Sequence, residues 1–226
     1  MKRSVLVTGA SKGIGRAIAL RLAPDYDVVA VARSEGVLRS LGEEIAAKGG
    51  TCTAVDVDLR DPLAVATALD GLPCDVLVNN AGVMHKKPFI DLTPDEWGEM
   101  VDVNFNALYH VTRAVLPGMI ARGSGHVVNI ASIAGRSAFT GGTAYAGTKH
   151  AVLGFSECLM LEVRDYGVKV STVMPGSVAT ELFPPGTDMS WMLLPEDVAE
   201  TVAQLLAMPQ HALVYNVEVR ASRPRK

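Results

Sequence analysis

A chain of 226 residues, 49% hydrophobic and 20% charged, has the make-up of one large or two small globular domains, which excludes disorder and collagen-like repeats. Its 21 lysines and arginines against 24 aspartates and glutamates leave a net charge of -3, with only 5% aromatics, so neither nucleic acid nor an anionic membrane is expected as a partner. Three cysteines without a C-x-x-C pair argue against a disulfide framework or a zinc site and for a reducing, cytoplasmic setting.

The first apolar run, at 4–7, follows Met1 too closely for a signal peptide, and no run approaches the roughly 18 apolar residues that span a bilayer. Six more β-branched runs follow, at 27–31, 51–56, 76–78, 126–130, 169–173 and 213–219. Most are continuously apolar, as strands covered on both faces are. Between them lie helix-compatible segments such as 14–22 and 36–48, with apolar residues three and four apart. Strand–helix alternation implies parallel strands joined by right-handed crossovers, hence a single doubly wound α/β domain over 1–226 with about seven strands and helices on both faces. Thr93-Pro94-Asp95-Glu96 reads as a helix start, with an N-cap Thr, a Pro in the first turn and a Glu three residues on. That helix is expected to continue through Trp97, Val101, Leu108 and Val115. Pro195-Glu196-Asp197 opens a later one. Between Thr180 and Pro195, segment 183–194 carries Pro184-Pro185-Gly186 and the exposed-looking Phe183, Met189, Trp191 and Met192, and reads as a substrate loop or lid.

The chemistry sits at the strand ends. The first strand runs into Thr8-Gly9-Ala10-Ser11-Lys12-Gly13-Ile14-Gly15 ahead of a helix. Such glycines let backbone N–H groups approach a pyrophosphate at a helix N-terminus; a tight strand-to-helix turn is the alternative. Where an acid usually holds the ribose of NAD, the second strand ends in Ala32-Arg33-Ser34. Arg33 and Lys12 can grip a 2′-phosphate, which favours NADP over NAD. Asp58-Leu59 offers a carboxylate and an apolar face to an adenine. Asn79-Asn80-Ala81-Gly82 can cap a turn, contact a ribose or tie the central strands together. Asn129-Ile130-Ala131-Ser132 closes the fifth strand, at the edge where such sheets bind ligands. Thirteen residues later, Tyr145 and Lys149 share a helical face. An ammonium beside a phenol favours the phenolate, and Ser132 can hydrogen-bond a substrate oxygen. His85, His110, His126, His150 and His211 have no metal-ligand spacing, so no metal is expected, although His85 is placed to face a substrate. Cys158 is expected to pack, and Arg220, Arg223, Arg225 and Lys226 to form a frayed basic tail.

The glycine loop, residues 79–82, Ser132, Tyr145-x-x-x-Lys149 and Pro175-Gly176 together resemble the short-chain dehydrogenase/reductase family, in order and spacing over about residues 4–220. The resemblance implies a Rossmann-type fold and an NADP(H)-dependent oxidoreductase that interconverts a secondary alcohol and a carbonyl. It implies that Tyr145 is the general acid/base, that Ser132 polarises the carbonyl, and that Asn104 holds a proton-relay water. Lys149 would bind the nicotinamide ribose and lower the Tyr145 pKa. Around the cofactor the resemblance gathers Gly9, Ser11, Lys12, Gly13, Ile14, Gly15, Arg33, Ser34, Asp58, Leu59, Asn80, Ala81 and Gly82. Tyr145, Lys149, Pro175, Gly176, Val178 and Thr180 complete the set, with Thr180 toward the pyrophosphate. Helices 97–115 and 144–163 would pair copies into a homodimer or homotetramer. A non-catalytic NADP(H) sensor or scaffold, or an epimerase or dehydratase, shares this fold; intact Ser132, Tyr145 and Lys149 weigh against a sensor.

Overall fold

Apolar runs separated by helical segments leave few options, since parallel strands need long crossovers and a bare sheet face must be covered. The computed structural model describes residues 2–224. In chain order the elements are β1 (Arg3–Thr8), α1 (Gly13–Leu22), β2 (Tyr26–Ala32), α2 (Glu35–Ala47), β3 (Cys52–Asp56), α3 (Pro62–Leu69) and β4 (Val76–Asn79). There follow α4 (Pro94–Val101), α5 (Ala107–Arg122), β5 (Gly125–Ile130), α6 (Thr143–Val163), β6 (Val168–Pro175), α7 (Pro195–Leu206) and β7 (Asn216–Val219). The seven strands form one parallel sheet in the order β3-β2-β1-β4-β5-β6-β7. This is the Rossmann-type arrangement. Strand order reverses between β1 and β4, and a crevice opens there at the carboxyl ends of the strands.

Alternate residues of the central strands feed opposite layers, which explains their continuous apolar character. Val5 and Val7 of β1 pack with Ile18, Leu38 and Val202 on one face. Leu6 packs with Leu77, Val111, Val127 and Val170 on the other. The edge strand β3 is the less apolar exception: Thr53, Ala54 and Asp56 are exposed on a strand that has a neighbour on one side only. The final strand starts at Asn216 rather than 213, because β7 pairs only with the Thr172–Pro175 half of β6.

The Thr93 capping box forms as expected: Glu96 N–H donates to Thr93 Oγ1 at 3.2 Å, and Thr93 N–H donates to the Glu96 carboxylate at 3.0 Å. The helix that begins there is not uniform. A π-helical turn, Asp102–Asn106, separates α4 from α5 and turns Asn104 into the protein. Cys158 is exposed, contrary to expectation. The buried stripe of α6 runs through Val152, Ser156, Leu159 and Val163, and position 158 falls outside that spacing. Within the tail, Arg220 pairs with Glu218 at 3.0 Å, while Arg225 and Lys226 lie outside the described residues. Among the described residues, no helix is long and apolar enough to cross a membrane.

Candidate active site

The loop after β1 is shaped by its glycines. Gly9 and Gly13 take φ values of +65° and +53°, in the left-handed region. A Cβ on Gly15 would lie 2.4 Å from the Gly9 carbonyl oxygen and 2.5 Å from Asn80 Nδ2, so α1 can start this close to the loop only with glycine there. No side chain caps the α1 N-terminus, and its first turn carries no acid. The N–H groups of this turn and the Ser11–Gly13 loop therefore present partial positive charge to the crevice. Thr180 Cγ2 would stand 3.2 Å from a Cβ on Gly13, which places Thr180 against the glycine loop.

Residues 79–82 split between two tasks. Asn79 Nδ2 donates to Asn129 Oδ1 at 2.9 Å and to Thr112 Oγ1 at 3.0 Å, so Asn79 ties β4 to β5 and α5. Asn80 Nδ2 donates to the Thr8 carbonyl at 3.0 Å, and the N–H groups of Asn80 and Ala81 donate to Thr8 Oγ1 at 3.0 and 3.1 Å. This clamp fixes the glycine loop against β4. Thr8, in the sequence only the residue that leads into Gly9, is the centre of this clamp.

Lys12, in the loop after β1, and Arg33, at the carboxyl end of β2, are both exposed, and among the described residues neither side chain makes a hydrogen bond or a close ion pair. Ser34 stands at the N-cap of α2. Asp58 is already held: Arg60 donates two bonds from Nε at 3.0 Å and one from its terminal nitrogen at 2.5 Å. The Arg60 guanidinium, with a smaller contribution from Arg33, pulls the Asp58 carboxyl down to about 2. Leu59 is buried, and its carbonyl accepts from His110 Nδ1 at 3.0 Å.

Ser132, Tyr145 and Lys149 converge beyond β5. Ser132 begins a short 3-10 turn (Ile133–Gly135), and its Oγ accepts from Ala134 N–H at 3.1 Å while facing the Tyr145 hydroxyl. Lys149 is buried and donates to the Ile130 carbonyl at 3.0 Å, with Nζ 5.8 Å from the Tyr145 ring centre. Burial pushes the Tyr145 phenol above its ordinary pKa, opposed only by the Ser132 hydrogen bond. Desolvation of the phenol thus outweighs the Ser132 hydrogen bond in this structure.

Burial also pulls Lys149 down to about 8. A buried ammonium whose pKa falls from 10.5 destabilises the fold most below pH 8, and the cost fades as pH rises toward 10.5. Lys149→Met should accordingly be more stable than the wild type below pH 8, by up to about 3 kcal/mol. The difference should shrink through the alkaline range. Urea unfolding of both proteins across pH 7–10.5 measures it, and a pH-independent difference would contradict the assignment.

Both amide hydrogens of Asn104 are committed, to the Val83 carbonyl at 3.0 Å and to Thr148 Oγ1 at 3.1 Å. Its Oδ1 accepts from Val83 N–H at 2.8 Å, so one lone pair remains for any water. Thr148 donates in turn to the Tyr145 carbonyl at 2.8 Å, linking Asn104 to the tyrosine backbone. A Cβ on Gly82 would sit 3.4 Å from Asn104 Oδ1 and 3.8 Å from Lys149 Nζ; glycine leaves that space open. The Pro175 carbonyl faces Ser132 Oγ at 3.5 Å, and Gly176 N–H donates to the Val219 carbonyl at 2.8 Å. Val178 is buried and bridges Leu193, so segment 183–194 is stapled at its base. Phe183, Met189, Trp191 and Met192 are half-buried rather than exposed. His85 does not stand free to meet a ligand: its Nε2 lies 2.8 Å from Glu99. Among the described residues, no group of three or more His, Cys, Asp and Glu can hold a metal.

The sequence profile of the family described as short chain dehydrogenase matches residues 3–190. Oxidoreductase UcpA of Escherichia coli (strain K12) is 35% identical over 96% of this chain and 84% of its own length. NADP-dependent 3-hydroxy acid dehydrogenase YdfG from the same organism is 34% identical over 95% of this chain and 93% of its own. A crystal structure of a metagenomic short-chain oxidoreductase in complex with NADP superimposes with a TM-score of 0.87 at 36% identity, covering 98% of each chain.

Proposed function

The chain belongs to the short-chain dehydrogenase/reductase family, and from that premise we propose that it is an NADP(H)-dependent oxidoreductase interconverting a secondary alcohol and a carbonyl compound. One observation carries the reading: Ser132, Tyr145 and Lys149 stand together at the strand edge that also holds the glycine loop.

The residues fit the cofactor. The bare N-terminus of α1 suits a pyrophosphate, flanked by Gly9, Ser11, Gly13, Ile14, Gly15 and Thr180. The exposed Lys12 and Arg33, with Ser34, suit a 2′-phosphate. Leu59 and Asp58 would flank the adenine, with Asn80, Ala81, Gly82, Pro175, Gly176 and Val178 along the remainder. The NADP in the similar metagenomic structure and the printed name of YdfG support this choice. When bound, the nicotinamide supplies or accepts the hydride.

The chain's own residues orient the substrate and handle its proton. Ser132 Oγ would hydrogen-bond the substrate oxygen and so hold the carbonyl toward Tyr145. Burial keeps the Tyr145 phenol protonated at neutral pH, so it stands ready to give its proton to an oxygen that gains charge. Lys149, anchored by the Ile130 carbonyl, would hold the ribose next to that phenol. Asn104 positions the 83 loop against α6 and has one Oδ1 lone pair for a relay water. Segment 183–194 would cover the reacting atoms and exclude water, giving Phe183 and Trp191 something to pack on. The outward-facing Trp97, Tyr109 and Leu161 of α4, α5 and α6 support assembly into a homodimer or homotetramer. The test is NADPH consumption with a panel of ketones, aldehydes and oxo acids. No consumption with any of them would overturn the reading.

A further inference from the structure

Resting on that oxidoreductase reading, we infer that Lys86 makes the site selective for carbonyl substrates that also carry a carboxylate. The loop after β4 is pinned to the loop before α6, where Lys87 N–H donates to the Gly141 carbonyl at 3.1 Å. Phe139 stands at this seam. Its ring packs so closely on Gly142 that a Cβ there would be 2.5 Å away, and it meets the Tyr145 ring edge-on, with centres 6.4 Å apart. The Lys86 stem lies along Gly141, and its ammonium sits over the Phe139 ring, 5.9 Å from the centre. One aromatic ring thus contacts both the reacting tyrosine and a cation.

Charge pairing singles this cation out. Lys87 pairs with Glu96, His85 sits against Glu99, and Arg136 pairs with Glu218. Lys149 is buried against the Ile130 carbonyl. Among the described residues, Lys86 alone of these five has no carboxylate or carbonyl partner; a phenyl face is its only partner. An ammonium held only by a ring face stays available to a stronger anionic ligand. Its flexible four-carbon stem lets it follow that ligand. A substrate whose carbonyl oxygen sits between Ser132 and Tyr145 can extend past Phe139 and present its carboxylate to Lys86.

The test compares matched pairs at saturating NADPH, such as 2-pentanone and 4-oxopentanoate, together with longer homologues. Wild-type kcat/KM should favour the oxo acid by about tenfold or more, mainly through KM, with the advantage shrinking as salt is raised. Lys86→Met keeps an apolar stem beside Phe139 and should collapse the ratio toward unity; Lys86→Arg should retain most of it. A wild-type ratio at or below unity, or the wild-type ratio persisting in Lys86→Met, overturns the inference while the oxidoreductase reading stands. Turnover of neither member of any pair overturns both.

Discussion

Replacing Tyr145 with phenylalanine is expected to lower turnover by about 10²–10⁴-fold while leaving the fold and NADPH binding in place. The substitution removes one hydroxyl. The ring keeps its edge-on contact with Phe139, and Lys149 keeps its bond to the Ile130 carbonyl. What is lost is the proton that a reduced carbonyl oxygen must receive. Water is a poor substitute, because it is not held in place between the substrate oxygen and the half-buried Tyr145 site beside Ser132 and Lys149. Steady-state rates and NADPH titration of the same preparation separate the two effects. Turnover near the wild-type level would transfer the acid role to another group.

The double variant Lys12→Ala, Arg33→Ala should lose NADPH affinity by about 10²–10⁴-fold and barely alter NADH affinity. Each charge-assisted contact to a 2′-phosphate contributes roughly 1.5–3 kcal/mol, or about tenfold or more in affinity. Both side chains are exposed, and among the described residues neither makes a hydrogen bond or a close ion pair, so their removal leaves no buried group unsatisfied. The change in the NADPH-to-NADH ratio therefore reports the phosphate contact almost alone. Fluorescence titration with both dinucleotides measures it. An unaltered ratio would place the phosphate elsewhere.

The sequence made the strands legible because burial did: runs such as 5–7 and 76–78 are apolar at every position only because helices cover both faces. β3 is the exception its composition already sets apart: Thr53 and Asp56 interrupt the run, and the strand lies at the sheet edge. Tyr145 and Lys149 could be paired from their spacing, but the direction of the tyrosine's pKa could not. That depends on how completely the fold removes the phenol from water, and on Lys149 turning to the Ile130 carbonyl. Asn104 looked like an unremarkable helical residue until a resemblance marked it. Helical periodicity does not register the extra residue of the π turn that points it inward. The roles of Thr8, Thr112 and Thr148 are not legible in the sequence, because each acts across strands or helices distant in sequence. Phe139, in a stretch of small and polar residues, gave no signal of its place between Tyr145 and Lys86.

The central claim is that this site moves a hydride to a carbonyl carbon while Tyr145 handles the proton. Its most direct test is to incubate the wild-type protein with NADPH deuterated at the transferring position of the nicotinamide and a panel of carbonyl compounds, and to locate the label by mass spectrometry and NMR. The prediction is an alcohol product with deuterium on the carbinol carbon and none exchanged into water, formed at least a hundredfold more slowly by Tyr145→Phe, a factor of about the size general acid–base help supplies. An absence of deuterated alcohol from every carbonyl tried, or equal labelling rates in the two proteins, would contradict it.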